Sequence, residues 1–208
     1  MRAIPYAFGL LSALLLAASF PPFNAWPLAW FALAPLFVMY RTAPFRTSLT
    51  VTFITGLVFL GGLTYWIAIF GYLPWILTAA FQSLFLLGFC AIVYPVFAEP
   101  SGWIRLLMVP SAWTTFEWLR SLGFFGFTWG GLAQSQTHFL PAIQICAITG
   151  PWGLAFVIVA VNVAIAELLT ARPRKAAIAQ AALVAALVAA MMTYGGITLK
   201  EPSPEAKK

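Results

Sequence analysis

Charge is scarce in this chain. Only 8% of its 208 residues are Asp, Glu, Lys or Arg, where a soluble domain carries about 25%. So little polar surface excludes water as the solvent for most of the molecule. Cysteine and histidine are almost as rare. Cys90, Cys146 and His138 are the whole supply, and they fall at no ligand spacing, which excludes a metal site and calls for no cofactor. Each cysteine reads as a buried small hydrophobe. Also missing are a phosphate loop, a nucleophile elbow and any repeat of fixed period, so an inverted-repeat transporter has no support. The formal charge of +6 is spread in small groups between apolar runs. Such groups set membrane topology rather than form a basic face, which excludes nucleic acid as a partner.

What is present is apolar. Hydrophobic residues make up 62% of the chain and the mean hydropathy is +0.95. Crossing a hydrocarbon core of about 30 Å takes roughly 20 helical residues. The runs do not alternate as the strands of a membrane barrel do. The pattern therefore predicts an all-α membrane protein, a bundle of about seven transmembrane helices over residues 1–199 with a polar tail at 200–208. The expected spans are 3–20, 27–40, 49–70, 75–97, 104–121, 147–170 and 176–197. Small residues Ala17, Ala18 and Ser19 give the first run an alternative reading as a cleaved signal peptide. Between the fifth and sixth spans, 122–145 is broken by Gly123, Gly126, Gly130, Gly131 and Pro141. It reads as an interfacial or re-entrant segment.

Basic residues set the expected orientation. With the N-terminus inside, Arg2, Arg41, Arg46, Arg105, Arg172, Arg174 and Lys175 lie on the cytoplasmic side, and Arg120 alone precedes the tail on the other. An odd number of spans then puts the C-terminus outside.

The candidate site lies at that outer end. Glu117 and Arg120 stand three residues apart on one helix, close enough to pair, and intramembrane charges are costly enough to need a reason. They read either as a structural ion pair or as a guanidinium fork offered to a phospholipid phosphate and oriented by the carboxylate. These two are expected to be the only charges at membrane depth. The aromatic and glycine stretch from Phe124 to Trp129 reads as an aromatic belt with close helix packing. Together with the polar run from Gln134 to His138, it makes a surface half apolar and half hydrogen-bonding. The candidate lipid-binding residues are thus Glu117, Arg120, Trp129, Gln134 and Gln136. No catalytic residue is assigned, since His138 has no nucleophile near it in sequence.

Several motifs in order resemble a known family. Ser19–Pro22 with Trp26 and Pro27, then Gly62–Trp66 leading to Gly71 and Pro74, open the series. Pro110–Trp113, Glu117–Arg120, Gly126–Trp129, Gln134–Gln136, Gly150–Gly153 and Asn162 continue it. Across roughly residues 17–170 the chain resembles the N-terminal membrane region of bacterial apolipoprotein N-acyltransferase. Thr128 departs from the pattern, standing where the family usually has proline. The resemblance implies transfer of an acyl chain from a phospholipid to a diacylated lipoprotein at the outer face of the inner membrane. In the family that chemistry belongs to a nitrilase-like domain with a Glu, Lys and Cys triad, which would begin about where this chain ends, and no triad residue carries over. Three expectations stay open: a membrane module served by a separate nitrilase-like protein, a non-enzymatic binder of phospholipid or lipoprotein, or a gene fragment without function.

Overall fold

The computed structural model describes residues 3–123, 126–171 and 174–200. Arg2, Phe124, Arg172 and tail residues 201–208, all used in the sequence reading, lie outside that set. The described chain is an all-α membrane bundle. Its α-helices are α1 (Ile4–Ala18), α2 (Ala34–Tyr40), α3 (Phe45–Leu63), α4 (Tyr72–Val93), α5 (Gly102–Leu119), α6 (Leu140–Ile143), α7 (Cys146–Thr170) and α8 (Lys175–Thr198). Short 3-10 turns precede α2, follow α3 and α4, and carry Leu132–Gln136.

Helical segments occupy each of the seven expected positions. Four of them are long and apolar enough to cross a membrane: Phe45–Leu63, Tyr72–Ala98, Cys146–Thr170 and Lys175–Thr198. Ile4–Ala18 and Trp26–Tyr40 are shorter apolar helices. At 1.5 Å per residue, α1 is about 22 Å long, less than the hydrocarbon thickness. Segment 102–119 carries both Arg105 and Glu117.

The second expected span, 27–40, is not one regular helix. It is a 3-10 turn, Trp26–Trp30, followed after a break by the seven residues of α2. Backbone groups left open at such a break cannot find water in a bilayer, so protein must satisfy them. Asn162 of α7 does so. Its Oδ1 accepts the Leu33 and Ala34 N–H groups at 2.7 and 3.0 Å, and its Nδ2 donates to the Ala29 and Ile158 carbonyls at 3.0 and 2.9 Å. One turn further on, Leu36 N–H donates to Ser12 Oγ of α1 at 3.1 Å.

Helix α3 packs against α1 and α4, while α5 and α8 pack against α7. The centre is aromatic: Phe37, Phe59 and Phe89 are fully buried, and the Phe89 ring meets Trp113 edge-on at 5.1 Å. Large apolar side chains such as Leu73, Ile76, Leu183 and Leu187 face outward, as lipid-facing surfaces require.

The helix directions collect the chain's charges at two ends. One end joins α2, α5 and α7 through a single carboxylate. Glu167 Oε1 accepts from Arg41 Nη2 at 2.6 Å and from Arg105 Nε at 2.7 Å. Tyr94 Oη, donating to the Ala43 carbonyl at 3.0 Å, brings in the end of α4. This cluster corrects the expectation that Glu117 and Arg120 are the only charges at depth, since Glu167 and Arg105 are 1% and 3% exposed. The other end gathers the loop after α1, the turn after α3, and the segment from 120 to the start of α7.

Candidate lipid-binding site

The site is built where α5 ends and the chain turns back into the bundle. Gly123 and Gly130 take positive φ values of 76° and 84°, conformations that glycine adopts without steric cost. Gly130 is also crowded, because a Cβ there would lie 2.7 Å from Leu63 Cδ2. With these turns the segment folds back along α5, enters the 3-10 turn Leu132–Gln136 and passes through α6 into α7.

Glu117 and Arg120 do not form the ion pair that their spacing suggested. Among the described residues the salt bridges are those of Glu167. Glu117 instead accepts the Trp113 indole N–H and the Leu132 backbone N–H, both at 2.8 Å on Oε1. Arg120 donates from Nε to Gln82 Oε1 of α4 at 3.0 Å and from Nη2 to the Trp129 carbonyl at 2.5 Å. Its own carbonyl accepts the Phe127 N–H at 2.7 Å. The physical reason is competition. The Leu132 N–H and the Trp129 carbonyl of the returning segment, with the Trp113 indole and the Gln82 amide, engage the two charged groups in place of each other. Charge-assisted bonds of this kind are worth about twice a neutral one.

The remaining candidates divide by exposure. Trp129 is half exposed, and its ring lies 5.7 Å from that of Trp66. Gln134 is exposed; its Oε1 accepts the Gly130 N–H at 3.1 Å and its Nε2 donates to the Thr128 carbonyl at 3.2 Å. Gln136 is fully buried. Its Oε1 accepts the Trp30 indole N–H at 2.9 Å and its Nε2 donates to the Trp26 carbonyl at 3.1 Å. It ties the returning segment to the loop after α1 and does not face the surface. His138 is exposed, while Ser121 and Ser135 give their hydroxyl protons to the Trp118 and Leu132 carbonyls. A serine–histidine pair is not formed among the described residues.

Three concave features meet at this point. A polar cavity of about 60 Å³ is lined by Glu117, Arg120, Ser121, Gln134, Pro151 and Trp152, among others. A groove of about 490 Å³ lies on one side, between Pro74, Leu77, Phe81 and Gln82 of α4 and the returning Gly126 and Phe127. Another of about 490 Å³ lies on the other side, between Pro21, Leu63, Trp66 and Trp129. Both grooves are mostly apolar walls with a few polar groups, the make-up of a ligand-sized recess. Gln82 was missed by sequence reading. A single amide in an apolar run was the available signal, and only the fold shows that it holds Arg120. Helix α7 opens the polar cavity because it is broken at Gly150, with φ 65° and ψ −177°, just before Pro151.

A family model described as the apolipoprotein N-acyltransferase N-terminal domain matches residues 12–164. Among curated proteins, the chain is similar to the apolipoprotein N-acyltransferase of Geobacter metallireducens, 38% identical over 174 residues covering 77% of this chain and 33% of that protein. The Thermotoga maritima enzyme of the same name is 34% identical over 182 residues, 78% of this chain and 35% of the relative. That of Gloeobacter violaceus is 31% identical over 208 residues, 93% of this chain and 39% of the relative. The chain thus spans a little over a third of the length of these relatives.

Proposed function

The chain belongs to the apolipoprotein N-acyltransferase family through its N-terminal domain, and from that premise we propose that it forms the membrane module of a lipoprotein-maturing acyl-transfer system in the bacterial inner membrane. In this reading the module binds phospholipid at its outer face. Arg120 and Glu117 set the polar cavity, Trp129 and Gln134 form its rim, and Gln136 holds the segment in place. The flanking grooves take the acyl chains. The carrying observation is a small cavity walled by Glu117, Arg120 and Gln134 near two larger, mostly apolar grooves of similar size, a layout that fits one head and two chains. The N-terminus is cytoplasmic and the C-terminus periplasmic, as the basic-residue bias supports.

We assign the covalent chemistry to a nitrilase-like domain outside these 208 residues, acting on phospholipid and diacylated lipoprotein. Helical backbone spends its N–H groups on itself, and the serine hydroxyls here are already committed to carbonyls. Neither supplies the nucleophile or oxyanion donors that amide formation from an ester requires. The test is lipid retention by the purified chain in native mass spectrometry. Arg120→Gln removes the charge from the cavity and is expected to cut phospholipid retention by roughly tenfold, with Trp129→Leu cutting it less. Equal retention by a folded Arg120→Gln protein rejects the head-binding role.

A further inference from the structure

The opposite end of the bundle holds a charge cluster that the outer site does not use. Arg41, at the end of α2, and Arg105, on α5, converge on Glu167 of α7. Arg105 also bonds the Glu99 carbonyl. Two guanidinium groups share one carboxylate, leaving a positive charge in excess where Arg105 and Glu167 are almost wholly buried. A buried charge is held only where it is paired. Arg41 is the member that reaches the surface, with 18% of its side chain exposed. Among the described residues its buried Nε has no hydrogen-bond partner, and neither has either amide atom of the fully buried Gln180. That amide sits on the same cluster. A Cβ at Gly102 would lie 2.5 Å from Gln180 Nε2 and 2.8 Å from Glu167 Oε2.

The surroundings add to the excess. Arg46, Arg174 and Lys175 are exposed at this end, and Glu99 is the other described carboxylate there. Helices α3, α5 and α8 begin here while α2, α4 and α7 end here, so the helix dipoles offset one another and the excess positive charge is that of the side chains.

We propose that this end binds the phosphate of an anionic phospholipid in the leaflet opposite the outer site, with Arg41 as the direct contact. Arg105 and Glu167 are positioning residues that hold the Arg41 fork at the bilayer surface, and the Gln180 amide adds a donor behind it. A fork fits a phosphate through two parallel N–H bonds, which a lone ammonium does not.

The experiment uses the full chain in nanodiscs of mixed phosphatidylglycerol and phosphatidylcholine, with bound lipid counted by native mass spectrometry and folding followed by thermal melting. Arg41→Gln is expected to lower retained phosphatidylglycerol about tenfold, and Arg46→Gln, at an exposed position, to change it less than about twofold. Glu167→Gln drops the charge that holds the Arg41 fork, so retention in the folded protein is expected to fall severalfold, and Glu167→Asp to restore part of it. A purely structural ion pair would instead lower the melting temperature of the Glu167→Gln protein and leave lipid retention in its folded fraction unchanged. Should Arg41→Gln not fold, Arg41→Lys keeps the charge without the fork and is expected to lose retention severalfold. Unchanged retention in a folded Arg41 variant overturns the proposal. So does an equal loss in the Arg41 and Arg46 variants, which means diffuse surface charge. Displacement of lipid by millimolar inorganic phosphate assigns the site to a small anion and overturns the lipid reading.

Discussion

Replacing Asn162 tests the account of the broken second span most directly. The side chain is fully buried and makes four bonds, two to the N–H groups that open α2 and two to carbonyls. Ile158 O keeps its own helical environment after substitution. The Ala34 N–H also reaches the Phe31 carbonyl at 3.2 Å, but the Leu33 N–H and the Ala29 carbonyl have no such fallback. Leaving a buried group unsatisfied costs about 1–3 kcal/mol, whereas interhelical bonds in a membrane average only about 0.6 kcal/mol because the unfolded reference also finds partners. With two groups stranded, the expected loss lies between about 1 and about 6 kcal/mol. Asn162→Leu is the cleaner variant, since it keeps the branched shape and the number of side-chain heavy atoms and removes hydrogen bonding without opening a cavity. Asn162→Ala adds a cavity term of about 1 kcal/mol or more. The assay is reversible unfolding by detergent titration in bicelles, read by tryptophan fluorescence. A loss below about 0.5 kcal/mol for Asn162→Leu refutes the reasoning, because it means that the α2 start is satisfied by something other than Asn162.

Four further outcomes are expected. Gly130→Ala should destabilise the chain by about 1–3 kcal/mol, because it places a Cβ at positive φ against Leu63. Gly62→Ala, with nothing near its Cβ position, should be neutral or slightly stabilising in the same melting series. Glu117→Gln keeps an acceptor for Trp113 and Leu132 and should melt close to the parent, while Glu117→Leu should lose about 2–4 kcal/mol and shift tryptophan emission; equal melting of the two variants refutes the anchoring role. A periplasm-dependent reporter fused after Lys208 should be active and a cytoplasm-dependent one silent, and the reverse pattern would sink the span count.

The seven helical positions were legible because proline, glycine and arginine punctuate the apolar runs. The return of the chain after α5 was legible for the same reason, since four glycines within nine residues cannot make a regular span. The split of the second span was not. Hydropathy reports what surrounds a segment, and says nothing of whether its N–H groups are met locally or by an amide 129 residues away. The expected Glu117–Arg120 pair failed because the rule of three-residue spacing describes an isolated helix surface, where no other acceptor competes. Here Gln82 and the Trp129 carbonyl lay within reach of Arg120. Glu167 was overlooked as one carboxylate in a long apolar run, and its two arginine partners stand 126 and 62 residues earlier. Of the candidate site, Trp129 and Gln134 open to the surface as read, and Gln136 faces inward because two tryptophans claim its amide.

The bonds between α2 and α7 also set a schedule. The start of α2 is completed by Asn162 and its end by Glu167, at sequence separations of 129 and 126 residues. Synthesis proceeds at about 5–20 residues per second, so a nascent α2 waits roughly 6–25 s before either group exists. During that interval the segment has a bare Leu33 N–H at its head and an unanswered arginine at its foot, a state costly in lipid. Arg105 joins the wait some 60 residues later. Emergence of α7 then settles all three debts at once, so α7 is the helix whose arrival closes the bundle. A translocon that releases helices singly would strand α2 in the bilayer, and one that retains early helices until α7 appears would not.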